Sequence, residues 1–336
     1  MAAFLNGLGW IIITPIFQYP DEQSHFAQVQ NLAEFGTSKF FEYNTSLEVS
    51  IAEDIFKTAR DGLGNNNYTY HPEFKLDYSD NFTGPSETLI RNLPKSSRIQ
   101  FVTWEATDNP PLYYIFAGLG YKFFYNSSLI ERIYAIRLIS LFFFLLLTVI
   151  AYNIAKLFFK ENYQAISISA LVAFKPMLIH ASTGILPDTL TNLLFSLVIF
   201  FSLKIIKFGT KAKYLLALIF IVILGYLTRQ QFLISIAFIL LAIIYQLFQK
   251  NKKQKLLFSI LSILSIFVLI KIFPALNFFK RFYVPEINSR DLSILFSYDF
   301  ILHFVESAKK AYSQTLPWYW GVYKWLSFTQ PHMFYQ

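Results

Sequence analysis

Apolar residues form long unbroken runs over most of this chain, while polar residues gather in one long early stretch and a few short links. The first run, Ala2 to Phe17, falls a little short of the about 20 residues that a helix needs to span a membrane. It reads either as a thin first helix or as the start of the chain inside a longer natural one. From Asp21 the pattern turns helical. Phe26, Val29, Leu32 and Ala33 share one face, Gln23, Gln28 and Glu34 are polar, and Gly36 is placed to end the helix. An amphipathic helix leaving a membrane is expected to lie along its interface. A second short apolar stretch opens at Pro110 and ends near Phe124. Strong spans follow at 130–156, 163–182, 188–206, 214–228, 232–248 and 256–275. The pattern predicts an all-α polytopic membrane protein.

Composition strengthens that reading. Hydrophobic residues make up 54% and the mean hydropathy is +0.41, above what a soluble domain of this size tolerates. Cysteine is absent, which excludes disulfides, thiolate nucleophiles and cysteine-ligated zinc. A net charge of +8 would suggest a nucleic-acid partner in a soluble chain. Here the lysines sit in short links between apolar runs, so the charge reports topology and not nucleic acid. Lys156 and Lys160 lie in one link, Lys204, Lys207, Lys211 and Lys213 in another, and Lys250, Lys252, Lys253 and Lys255 in a third. The intervening links, near 183–187 and 228–231, carry only Arg229. The lysine-rich links are therefore expected to be cytoplasmic.

That alternation divides the chain. Residues 1–17 form a first transmembrane helix, 18–129 an extracytoplasmic loop with juxtamembrane helices, and 130–275 a six-helix transmembrane region. The count is about seven helices, because a crossing at 110–124 would break the alternation. Residues 276–336 then lie outside, with an interfacial aromatic cluster at Pro317-Trp318-Tyr319-Trp320-Gly321 and Trp325. The chain stops without a closing span and reads as truncated at its C-terminus.

Candidate chemistry concentrates where the first run meets water, at Tyr19-Pro20-Asp21-Glu22-Gln23-Ser24-His25-Phe26. Two adjacent carboxylates with a histidine one turn on suit reactions at a membrane surface. Asp21 after Pro20 is equally a good helix N-cap, with Glu22 complementing the helix dipole in the first turn. Ionisable residues inside apolar runs are costly and point to function by default. Three qualify: Arg137, about seven residues into its helix, Lys175 before Pro176, and Arg229 at an outer helix end. For each, the bland alternative is snorkelling to the interface. Asp188 follows Pro187 at another outer link, as a reacting group or as a further N-cap. The long loop holds no metal-ligand spacing and no Gly-rich phosphate loop.

The order of these segments is similar to a known family. Pro-Asp-Glu-x-x-His-Phe follows a first helix, and Asn109-Pro110-Pro111-Leu112-Tyr113-Tyr114 closes the loop. Arg-Leu-Ile-Ser, at 137–140, stands near the start of one helix and Leu-Pro-Asp-Thr-Leu, at 186–190, opens another. The chain resembles the GT-C superfamily of membrane glycosyltransferases, which includes protein O-mannosyltransferases and lipid A aminoarabinose transferases. It looks closest to uncharacterised bacterial members. The resemblance implies transfer of a sugar from a polyprenyl-phosphate carrier to a glycan, lipid or protein acceptor on the outer face of a bacterial inner membrane. It implies that Asp21 is the catalytic base, with Glu22, His25, Asp188 and Asn109 around the acceptor or behind it. The aminoarabinose transferases carry a lysine where this chain has Asn109, which moves the expected donor-phosphate site to Arg137, Lys175 and Arg229. No cofactor is fixed by the sequence, and a divalent cation is compatible with it.

Elementary chemistry runs the same way. A polyprenyl phosphate departs as a stable anion, so a single base to deprotonate the acceptor suffices, whereas a glycoside hydrolase needs a second carboxyl group as acid. Cations would stabilise the departing phosphate, and attack from the opposite side would invert the anomeric centre. The rival class is a multi-span transporter or flippase, compatible with the proline breaks at Pro176 and Pro187. Against it stand the missing inverted repeat and the lack of a buried carboxylate chain.

Overall fold

The structure is a computed structural model and describes residues 1–36, 45–56, 58, 80–103, 109–248, 305–306, 309, 322–323 and 328–329. Helix α1 covers Ala2–Ile13 and α2 Glu22–Phe35. Strand β1, Thr45–Ser46, leads into α3, Leu47–Phe56. Helix α4, Asp80–Arg91, is followed by a 3-10 turn at Lys95–Arg98 and by β2, Phe101–Thr103, which pairs antiparallel with β1. The apolar part comprises α5 (Leu112–Phe123), α6 (Leu129–Phe158), α7 (Asn162–Ala173) and α8 (Pro176–Thr183). It continues with α9 (Asp188–Phe208), α10 (Ala212–Tyr226), a 3-10 turn at Gln230–Ile234 and α11 (Ser235–Phe248).

Local chemistry explains these boundaries. Helix α6 starts at a Ser-x-x-Glu signature, where the Ser128 N–H and hydroxyl both donate to Glu131 Oε2 at 2.7 Å. At 30 residues it is roughly 45 Å long, enough to cross a bilayer. Pro176 starts α8 because its fixed φ suits a first helical position, and it pushes Lys175 into the extended region at ψ 112°. The two helices flanking that break are bent by 62°. Gly36 ends α2 with φ 76°, and its N–H donates to Leu32 O at 3.0 Å.

The chain is mostly helical, and among the described residues two helices, α6 and α9, are long and apolar enough to cross a membrane. The bent α7–α8 pair makes a third if it counts as one span. Helices α1 and α10 and the segment Gln230–Gln246 are apolar but shorter. Helix α5 has 12 residues, well below the about 20 of a span. The expected span at 256–275 and almost all of the expected outer segment at 276–336 lie outside the described residues.

Helix α6 is the hub, packed against α1, α5, α7, α8 and α9, and α9 packs in turn against α10 and α11. Ile136, Phe144 and Leu147 of α6 share one core with Leu190, Leu194 and Val198 of α9. Leu138, Phe142, Ile166, Leu171, Leu216 and Phe220 face outward and are exposed. An apolar exterior around an apolar core is what lipid requires and water penalises.

Helix α2 departs from the expected interfacial helix. Glu22 through Asn31 are buried without interruption, polar residues included. Other segments cover every side of it, so its polar groups bond to protein instead of water. Gln28 Nε2 donates to Asn109 O at 2.9 Å, Gln30 Nε2 to Glu48 Oε2 at 2.8 Å, and His25 Nδ1 lies 2.8 Å from Tyr114 Oη. An interfacial helix would keep its polar face wet.

Candidate functional site

The turn between α1 and α2 is built on a buried ion pair. Arg137, on α6, is fully buried, as is Glu22. Arg137 Nε donates to Glu22 Oε1 at 2.8 Å and Nη2 to Oε2 at 2.6 Å, a two-pronged charge-assisted pair. The remaining guanidinium N–H groups reach main-chain carbonyls at the end of α1: Ile11 O at 3.2 Å, Thr14 O at 2.7 Å and Pro15 O at 2.8 Å. Such carbonyls lack intrahelical partners and carry the negative end of the helix dipole, so a cation suits them. Glu22 Oε2 also accepts the Phe17 N–H at 2.9 Å. The guanidinium lies 4.6 Å from the centre of the Tyr19 ring and 5.4 Å from that of Tyr134.

This corrects the expectation for Arg137. Its donors are spent on Glu22 and the end of α1, and its burial leaves no face for a phosphate. Lys175 stands at the break between α7 and α8. Asn6 of α1 donates to Ala173 O at 3.4 Å, which sets the helix break level with Asn6, whereas Arg137 reaches residues 11 to 15. The break that carries Lys175 and the Arg137 side chain therefore meet different stretches of α1.

Asp21 occupies the N-cap position of α2 without a side-chain capping bond. Its backbone is left-handed at φ 53°, as is that of Phe17 at φ 59°. Left-handed residues other than glycine are uncommon, and for a bulky residue such as Phe17 the conformation is strained. Tyr19 anchors the middle of this turn. Its hydroxyl lies 2.9 Å from Thr183 Oγ1 and donates to Trp10 O at 3.0 Å, and its ring packs on His180 with centroids 4.7 Å apart. Burial pushes the Tyr19 phenol up, against the lowering effect of Arg137. Gly184 packs so tightly on this ring that a Cβ there would come within 2.6 Å of Tyr19 Cγ. The link before α9 is thereby pressed onto the link between α1 and α2.

Asp188 and Arg229 complete the cluster. Arg229 Nη1 lies 3.0 Å from Asp188 Oδ1, with both side chains partly exposed. Asp188 is the first residue of α9, after Pro187 in the N-cap position, so it is not the cap that its position suggested. Arg229 is paired with Asp188. Its Nε is buried and has no hydrogen-bond partner among the described residues. Asp21 is close enough to Asp188 for the two carboxylates to repel one another. The start of α5 joins the same end of the bundle, where the Leu112 N–H donates to Leu227 O at 2.9 Å.

His25 and Asn109 lie on the α5 side. Tyr114 Oη bridges them, 2.8 Å from His25 Nδ1 and 3.3 Å from Asn109 Nδ2. Tyr114 had no sequence signal beyond its place in the Pro-Pro-Leu-Tyr-Tyr string. Among the described residues no group of three His, Cys, Asp or Glu side chains converges as metal ligands.

Sequence reasoning missed a second buried network. Arg132 donates to Glu48 and, at 2.7 Å, to Tyr121 Oη, while Arg98 Nε lies 3.7 Å from Glu48. Tyr121 Oη in turn donates to Glu34 Oε1 at 2.6 Å. These bonds tie α3 and the Lys95–Arg98 turn to α2, α5 and α6. Glu48 and Arg98 lie in stretches with no helical periodicity strong enough to single them out.

Residues 4–336 match a family described as predicted membrane protein (DUF2142), and the chain belongs to that family. No curated protein and no solved structure matches it.

Proposed function

We propose that the protein is a membrane glycosyltransferase of the GT-C type, moving a sugar from a polyprenyl-phosphate carrier to an acceptor hydroxyl on the extracytoplasmic face. The observation that carries this reading is the convergence of Asp21, Asp188 and Arg229, from three separate links, at one end of an apolar helix bundle. Two carboxylates and one guanidinium stand where a lipid's headgroup would sit while its tail stayed in the bilayer. In this reading the chain has about seven spans, and the lysine-rich links support a site on the outer face.

Asp21 takes the proton of the acceptor hydroxyl as its oxygen attacks the anomeric carbon. The bond from that carbon to the phosphate oxygen breaks, and its electron pair leaves with the phosphate. Inversion follows from attack opposite the leaving group. Arg229 stabilises the departing phosphate through the guanidinium N–H groups not held by Asp188. Asp188 orients Arg229, and His25, Tyr114 and Asn109 form the polar wall on the acceptor side. Arg137 and Lys175 have no part in phosphate binding here.

Deleting the gene tests the reaction class. Polyprenyl-phosphate-linked sugar should accumulate in the membrane and return to its normal level on complementation, as read by mass spectrometry of extracted lipids. An unchanged lipid-linked sugar pool would remove the glycosyltransferase reading.

A further inference from the structure

We propose that the buried Arg137–Glu22 pair is a positioning device for Asp21, holding its carboxylate against Asp188 and Arg229 through the backbone of the 14–21 turn. The inference rests on Asp21 being the reacting carboxylate, but the geometry behind it is independent of any reaction.

Two left-handed residues, Phe17 and Asp21, bracket this turn. A chain does not hold two such conformations so close together unless its surroundings impose them. Glu22 supplies one restraint, since Oε2 accepts the Phe17 N–H at 2.9 Å and so fixes the first of the two residues. Arg137 supplies the other by gripping Thr14 O and Pro15 O on one side and both Glu22 oxygens on the other. The span from Thr14 to Glu22 is thus tied at both ends to one side chain of α6. Tyr19 fills the middle, between that guanidinium and Gly184. The left-handed backbone of Asp21, at φ 53°, fixes the direction in which its side chain leaves the turn. A fully buried ion pair is a poor source of stability in itself, because desolvation offsets the attraction. Fixing one geometry is a better-attested use of such a pair.

Because the chain has no cysteine, Asp21→Cys gives a single reporter thiol in the purified full-length protein. Its reaction with an impermeant maleimide is followed against pH, and the midpoint gives the thiol's titration. With the pair intact, adding Asp188→Asn should lower the midpoint by about half a pH unit or more, since a neighbouring negative charge is removed. In Glu22→Gln and Arg137→Lys backgrounds, that response to Asp188→Asn should fall below half its original size. Asn92→Cys, on an exposed residue outside the turn, should respond to neither change. Should Arg137→Lys fail to fold, the milder Glu22→Gln decides the matter. A response that keeps more than half its size in the clamp variants, or that is absent with the pair intact, overturns the proposal. Loss of the glycosyltransferase reading would leave this titration unaffected, so the two failures are distinguishable.

Discussion

Arg229 Nη1 lies 3.0 Å from Asp188 Oδ1, joining the start of α9 to the link after α10. The bridge leaves Arg229 Nε buried without a partner among the described residues. Both side chains remain partly exposed, so the pair adds little to stability, about 0–1 kcal/mol. Its significance is that a guanidinium with unused donors is held at the mouth of the cluster.

Arg229→Gln should therefore leave the thermal midpoint nearly unchanged and weaken binding of polyprenyl phosphate. A charge-assisted hydrogen bond contributes about 1.5–3 kcal/mol, which corresponds to roughly a 10- to 150-fold rise in Kd. Calorimetry or a lipid-competition assay on the purified protein reads it. Unaltered affinity would take Arg229 out of the phosphate site.

The two sides of the membrane are testable with single cysteines. Asn92 follows α4 and Lys160 lies in the first lysine-rich link, and both are exposed. Asn92→Cys and Lys160→Cys should be labelled by an impermeant reagent from opposite faces, with Asn92 outside. Labelling from one face would contradict the lysine-based topology.

Gly184 and Gly118 make opposite forecasts. A Cβ at Gly184 would meet Tyr19 Cγ at 2.6 Å and Cβ at 2.8 Å, while a Cβ at Gly118, inside α5, meets nothing within 4 Å. Gly184→Ala should destabilise by about 1–3 kcal/mol through overpacking and disturb Asp188. Gly118→Ala should be neutral or stabilise by up to about 1 kcal/mol, because glycine weakens a helix interior. Unfolding in detergent distinguishes them, and equal effects would mean that the Tyr19–Gly184 contact is loose.

The buried Glu48 carboxylate holds Arg132 and lies near Arg98, so removing one partner strands a charge. Arg132→Met should cost about 3–5 kcal/mol, and adding Glu48→Gln should recover part of that loss. A cost below about 1 kcal/mol would mean that water reaches the network.

Much of the helical scaffold was legible because it depends on local signals. Gly36 marked the end of α2, Pro176 marked the break before α8, and hydropathy marked α6 and α9. Ser128 and Glu131 carried a readable start signal for α6 that hydropathy reading passed over. The site was legible only in part. Asp21, Asp188 and Arg229 were recognisable as charges at helix ends, yet nothing local showed that they meet. Arg137 was misread for the same reason: its partner Glu22 lies 115 positions away, and an unpaired cation in an apolar run looks like a ligand site. The polar residues of α2 suggested a wet face, because their partners at Glu48, Asn109 and Tyr114 come from distant segments.

The central claim is that Asp21 acts as a base, and one substitution separates this from a merely structural role. Asparagine at position 21 keeps the size of the side chain and tolerates a left-handed backbone, so Asp21→Asn should fold, insert and unfold like the parent. It cannot take a proton near neutral pH, and general-base catalysis contributes roughly 10²–10⁴-fold. In membranes of the deletion strain, consumption of radiolabelled polyprenyl-phosphate sugar should return with the parent protein and fall by at least about 100-fold with Asp21→Asn. An Asp21→Asn protein that folds normally and retains more than about a tenth of the parent rate would contradict the account, since the loss expected of a missing base is far larger.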